Sequence, residues 1–146
     1  MERFKFIVAV YLLLIKDNQI LLSRRLNTGF EDGNYGLVSG HLEGSESVFK
    51  GIIREAKEEA NLDLKREDLE LAHVLHRISS LDGSERIDFF LKCEKWDGEI
   101  KNMEEDKCDD LSWFDLDKLP ENTIGYVRDV IENYKDGDFF TDLVKD

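Results

Sequence analysis

Ten consecutive apolar residues near the start of the chain, FIVAVYLLLI at positions 6–15, limit the fold more than any other feature of the sequence. The run is too short to cross a bilayer as a helix, which takes about 20 residues, and no signal-peptide cleavage pattern accompanies it. Its β-branched and aromatic content predicts a strand over residues 4–15. Odd and even positions are equally apolar, so both faces of that strand are buried. Such a strand belongs inside a sheet with further layers above and below it.

The remaining segments supply those layers. Residues 16–19 form a polar turn that returns the chain as a hairpin partner over 20–25. Residues 27–34, with Gly29 and Gly33, read as a flexible loop able to lie over a site, and 35–39 as a short strand. Residues 69–78 and 86–96 read as antiparallel strands about a turn at 81–84, carrying His73 and His76 as structural residues. An acidic loop over 103–110 precedes a Trp-containing strand at 111–114. Asn122 or Thr123 is expected to cap a second helix with Val127, Val130, Ile131 and Tyr134 on one face and Gly137 as its stop. Residues 138–146 read as a tail that packs Phe139 and Phe140 onto the body. Strands, helix, strands, helix in that order predict an α/β fold, a mixed sheet between helices forming an α/β/α sandwich. With 146 residues, the length suits a single domain over 1–146 with one hydrophobic core.

The helix between the two groups of strands carries the chemistry. In GHLEGSESVFKGIIREAKEEANL, residues 40–62, Ser45-Glu46-Ser47 offers capping oxygens and an acid at the positive end of the dipole. Val48, Phe49, Ile52, Ile53, Ala56 and Ala60 then follow at helical spacing and make one apolar sector. Glu55, Glu58 and Glu59 crowd its flank, and Glu59 falls inside the apolar edge. Glu55 and Glu59 are a like-charge i,i+4 pair, unfavourable by a few tenths of a kcal/mol, and neither has a cation one turn away. A solvated acidic face is the alternative. Three carboxylates on one turn, half sunk toward a core, otherwise suit a hard divalent cation on a rigid support.

Gly40, Glu46, Arg54-Glu55-Ala56 and Glu58-Glu59 at these spacings closely resemble the Nudix box of the Nudix hydrolases (MutT-like enzymes), Gly-x5-Glu-x7-Arg-Glu-apolar-x-Glu-Glu-x-Gly-apolar. Every charged position is present, and Leu62 fills the last apolar one. Asn61 stands where the box has its second glycine; Asn is the best substitute for Gly in the left-handed conformation that closes a helix. Ser39 stands where the family usually has a glycine before the box. The resemblance implies the α/β/α fold of the family and hydrolysis of a phosphoanhydride in a nucleoside diphosphate derivative. It implies Mg²⁺, with Mn²⁺ as the alternative, held by Glu58 and Glu59 with the Gly40 carbonyl as a third ligand. Glu55 is then a further ligand or the general base, and Arg54 orients the glutamates and pairs with Glu46. Relatives often place an acid before the Trp-containing strand in the metal site, which makes Glu104, with Glu105 second, the other candidate base.

A net charge of −13 argues against a nucleic-acid or anionic-membrane surface. It also means that local arginines must help to hold an anionic substrate; Arg24 and Arg25, adjacent at a strand end, are the candidates. Cys93 and Cys108 lack metal-ligand spacing and read as reduced thiols of a cytoplasmic protein, monomer or homodimer. Branches of the family acting on ADP-ribose often carry a proline about fifteen residues past the box, and those acting on dinucleoside polyphosphates a tyrosine. This chain has Arg77, Ile78, Ser79 and Ser80 there. By elimination, the resemblance points to a nucleoside triphosphate, ordinary or oxidised, cut to the monophosphate and pyrophosphate. ADP-ribose or another NDP-sugar, and a non-catalytic nucleotide-sensing domain, are the alternatives.

Overall fold

The apolar run becomes β1 (Ile7–Lys16), in which every residue from Ala9 to Ile15 is buried. The computed structural model describes residues 1–146. Successive side chains of a strand point to opposite faces, and β1 uses this to serve two cores. Val10, Leu12 and Leu14 pack with Ile52, Ala56 and Ala60 of helix α1 (Val48–Ala60). Ala9, Tyr11, Leu13 and Ile15 pack with Val127, Val130 and Ile131 of helix α2 (Gly125–Lys135) on the other side. The sheet is thus the middle layer of an α/β/α sandwich.

Asp17-Asn18, both left-handed at φ 53° and 61°, turn β1 into the antiparallel β2 (Gln19–Arg25). This two-residue connection has the handedness that matches strand twist. β1 runs parallel to β6 (Glu85–Cys93), which is antiparallel to β5 (Leu69–Ile78). β8 (Phe140–Lys145) lies parallel to β5 at the edge. β7 (Cys108–Asp115) pairs with β2. β3 (Tyr35–Gly36) also pairs with β2, whereas β4 (Ser39–His41) pairs with β1. The eight strands make one mixed sheet.

Several expectations are corrected. Phe4 and Phe6 stay outside the first strand, 66% and 43% exposed. The single strand expected over 35–39 is two short ones on different partners, so the chain crosses from β2 to β1 just before Gly40. The loop over 27–34 is internally bonded: the Asp32 carboxylate accepts from the N–H groups of Thr28 and Gly29 and from the Thr28 hydroxyl. Neither Asn122 nor Thr123 caps α2, because their side chains donate to the Gly33 and Pro120 carbonyls, and Ile124 takes the cap position. The expected tail is strand β8, and Phe139 and Phe140 remain 75% and 54% exposed.

The ends of α1 follow the sequence reading. Ser47 Oγ accepts the Lys50 N–H at 3.2 Å. Asn61 adopts φ 60°, and its N–H and that of Leu62 close onto the carbonyls of Lys57 and Ala56. A Cβ in the left-handed region costs about 1–2 kcal/mol. Asn61→Ala should therefore be about 1 kcal/mol less stable than Asn61→Gly in urea denaturation; both lose the same two side-chain bonds, to the Glu99 carbonyl and from the Lys57 ammonium, so the difference isolates the backbone term.

Candidate active site

Helix α1 presents its acids where β4 passes beneath it, and Arg54 organises them. Its Nε and Nη2 hold Glu46 at 2.7 and 3.0 Å. Nη1 reaches Glu55 at 2.8 Å and Glu58 at 3.2 Å. Nη2 also donates to the His41 carbonyl at 3.2 Å, which ties β4 to the helix. The planar guanidinium suits this many acceptors at once. The Arg54 bonds hold Glu46 below the usual carboxylate range.

The Glu55 carboxylate lies directly against Gly40, where any Cβ would overlap it. Burial raises the Glu55 pKa, and the Arg54 bond and charge pull it back. Glu59 is outside the reach of Arg54; the Ser39 N–H donates to its Oε2 at 3.1 Å. Burial raises its pKa well above the ordinary value, and the charges of Glu55 and Glu104 add to this. Glu58 is the more solvated member, 52% exposed.

The acidic loop is brought in by backbone bonds to the last turn of α1. The N–H groups of Lys101 and Met103 donate to the Ala60 and Glu59 carbonyls, both at 3.0 Å. Asn102 Oδ1 accepts the Glu104 N–H at 3.0 Å, and the Glu104 carbonyl accepts from Lys107 and Cys108. A cleft of about 480 Å³ results, and its wall joins Gly40, Glu55, Glu58, Glu59, Glu104 and Arg25. Arg54 sits behind that wall, in position to orient the carboxylates. Glu105 is exposed and off the wall.

Of the two strand-end arginines, only Arg25 faces the cleft. Arg24 turns to the other side of β2, ion-paired with Asp109 at 2.7 Å. Arg25 donates through Nε to the Phe30 carbonyl at 2.7 Å and has no carboxylate partner. His73 and His76 lie off the wall, bonded to Thr141 and Glu85. The sequence reading missed Tyr11, Arg77, Arg86, Lys107 and Tyr126 on the wall. Arg77 is 1% exposed and held by Asp88 and Asp146. Its signal was an arginine in register with His73 and Leu75 on the inward side of β5, a place a cation occupies only with buried partners.

The donor set is carboxylate oxygen, the chemistry of a hard divalent cation. The Gly40 carbonyl expected beside it pairs toward Val10 of β1, between the Leu12–Val38 and Val8–Leu42 bonds, and so faces the sheet. The crowding that raises Glu55 and Glu59 is the crowding such a cation relieves. No three ligating side chains converge on one point as a ready cage. Glu55 lies beside Glu59, and the Arg54 bonds turn Glu55 and Glu58 partly toward the guanidinium.

Residues 5–134 match the NUDIX domain model. Over 130 residues the chain is 33% identical to an ADP-ribose pyrophosphatase of Methanocaldococcus jannaschii, covering 87% of this chain and 72% of that protein. It is 29% identical to the NAD-capped RNA hydrolase NudC of Pseudomonas aeruginosa, over 77% of this chain but only 37% of that protein. Among solved structures, a MutT NUDIX hydrolase from Burkholderia pseudomallei superposes with a TM-score of 0.80 at 28% identity, covering 88% of this chain and 97% of that one.

The raised Glu59 pKa carries a stability consequence. The folded chain holds this proton more tightly than the unfolded chain, so the contribution is complete below the ordinary value of 4.5 and is lost as pH rises through the folded value. At neutral pH without metal the ionised carboxylate is a net cost. Glu59→Gln, which still accepts the Ser39 N–H, should raise the melting temperature of chelator-treated protein at pH 7 by a few degrees. At a pH below 4.5 the gain should vanish.

Proposed function

The chain belongs to the NUDIX domain family, whose enzymes act on small nucleotide substrates, and from that membership we propose a divalent-metal hydrolase that cuts a phosphoanhydride and releases a nucleoside monophosphate. The observation that carries this is the gathering of Glu55, Glu58, Glu59 and Glu104 around Gly40 on one cleft wall, with burial disfavouring the ionised forms of Glu55 and Glu59. Glu58 and Glu59 are the proposed holders of Mg²⁺ or Mn²⁺, without the Gly40 carbonyl, which is turned to β1. When bound, the ion neutralises phosphate charge and acidifies water.

The residues around it have separable tasks. Arg54 positions Glu55 and Glu58 and touches no substrate. Arg25 contacts the phosphates with its uncommitted guanidinium edge. Glu55 and Glu104 are the two candidate bases. Glu104 carries no side-chain bond to a cation, whereas Glu55 is held by Arg54, so Glu104 is the freer of the two to take a proton.

Two substrates share this product. A nucleoside triphosphate, cut to the monophosphate and pyrophosphate, is the reading that the residues after the box support. ADP-ribose, cut to AMP and a sugar phosphate, is favoured by the name of the Methanocaldococcus jannaschii relative. A non-catalytic nucleotide sensor would have no need of every box glutamate, and all are present. A nucleotide panel with Mg²⁺ or chelator, read for pyrophosphate against sugar phosphate, decides among the three.

Glu58→Gln or Glu59→Gln should lower kcat by about 100-fold or more, the several kcal/mol that a metal-held charge is worth, while the fold is retained. Millimolar Mg²⁺ should raise the melting temperature of the native chain and not that of Glu59→Gln, because the unfolded chain lacks the assembled ligands. An unchanged melting temperature in the native chain, with and without nucleotide, would sink the metal assignment. Glu104→Gln should lower kcat with little change in KM, and the loss should shrink as pH rises. If Glu55→Gln shows that pattern instead, the base lies on α1.

A further inference from the structure

The far wall of the cleft, on the α2 side, has a polarity that the phosphate chemistry does not use. Tyr11 and Tyr126 lie on it at 6% and 9% exposure, with their hydroxyl oxygens 3.1 Å apart. Arg77 Nη2 donates to the Tyr11 oxygen at 3.2 Å. Two phenols carry two O–H protons. One bridges the pair, and the other has no acceptor on the protein. Arg77 adds to this surplus: of its five N–H groups, three are engaged, by Asp88 at 2.6 Å, Asp146 at 2.5 Å and Tyr11. Two remain.

The charges at this wall nearly cancel. Arg77 lies between the carboxylates of Asp88 and Asp146, and Arg86 is 3.7 Å from Asp82. The Arg77 guanidinium also sits 4.1 Å from the centroid of the Tyr126 ring. Ala9, Leu37, Ile124 and Val127 complete the surroundings. A surface that is apolar, aromatic and close to neutral takes the uncharged part of a nucleotide, not its phosphates. Among buried side-chain atoms the one left without a partner is Asp88 Oδ1, on a residue off the cleft wall. The hydrogens left over at this wall, one phenol O–H and the free N–H groups of Arg77, are donors to a ligand edge that reaches them.

We infer that Tyr11, Tyr126 and Arg77 are specificity-determining residues that read hydrogen-bond acceptors on the nucleobase, so that the site prefers a base with a keto oxygen to one with an amino group in the same place. This rests on the nucleotide-hydrolase reading and narrows its substrate class to oxo-bases. A keto oxygen receives the unused O–H or N–H. An exocyclic amino group turns its own donors toward them and leaves both sides unpaired, the mismatch that hydrogen-bonding sites reject most strongly.

The test uses the monophosphates, the product shared by both substrate readings, and needs no turnover. IMP and AMP differ along the N1–C6 edge, keto beside N–H against amino beside a bare nitrogen, and their Kd values for the full chain are measured by calorimetry. IMP should bind about tenfold more tightly, and in Tyr11→Phe/Tyr126→Phe the ratio should fall to within about twofold. Should the double variant lose its cooperative melt, Tyr126→Phe alone decides, with an expected drop in the ratio of about threefold. Equal or tighter binding of AMP by the native chain overturns the inference, as does a ratio unchanged in a folded variant. A keto preference in a chain that hydrolyses nothing would overturn the enzyme reading and leave this inference standing.

Discussion

One cation, Arg54, holds the acidic cluster in register. It meets Glu46, Glu55 and Glu58 within 3.2 Å and Glu43 at 3.7 Å. In a chain of net charge −13 these acids would otherwise splay, because like charges on neighbouring turns repel. The fork geometry lets one side chain fix several carboxylate directions at once, which a point charge such as lysine does not do. Glu59 escapes this control and is pinned by a backbone N–H instead. The site therefore has a guanidinium-held half and a backbone-held half.

The backbone-held half depends on where the sheet divides. Chain continuity from β3 to β4 carries the path from the β2 side of the sheet to β1 within a few residues. That crossing puts the Ser39 N–H under Glu59 and the bare Cα of Gly40 under Glu55. The same crossing opens the cleft, whose walls come from both faces of the sheet. Residues of the α1 side supply acids; residues of the α2 side supply phenols and a compensated arginine.

Most of this architecture was legible in the sequence where one short-range rule decided the outcome. The two-faced run of β1, the Ser47 cap and the left-handed Asn61 follow from local pattern and local conformation, and the glutamates from their spacing on one helix. The misreadings share a different origin. Asn122 and Thr123 are good capping residues, but tertiary partners took their side chains. Arg24 and Arg25 look equivalent in sequence, and strand alternation sends only one to the cleft. Arg77 could be placed on the inward side of β5, yet Asp146, its partner from the far end of the chain, cannot be read from spacing. β8 carries its apolar residues largely exposed, so no burial pattern announced it.

The pairing of β1 with β6 also bears on how the polypeptide reaches this state. Ile7 lies beside Arg86 and Leu14 beside Cys93, partners separated by about eighty residues of chain. At a synthesis rate of about 5–20 residues per second, the apolar edge of β1 waits about 4–16 s for its neighbour to be made. The hairpin to β2 closes locally and early, but it leaves the β6 side open. Contacts of such long range are slow to form because loop closure precedes their reward. The strand that anchors both cores of the finished molecule is thus the segment of the nascent chain most in need of protection from its own kind.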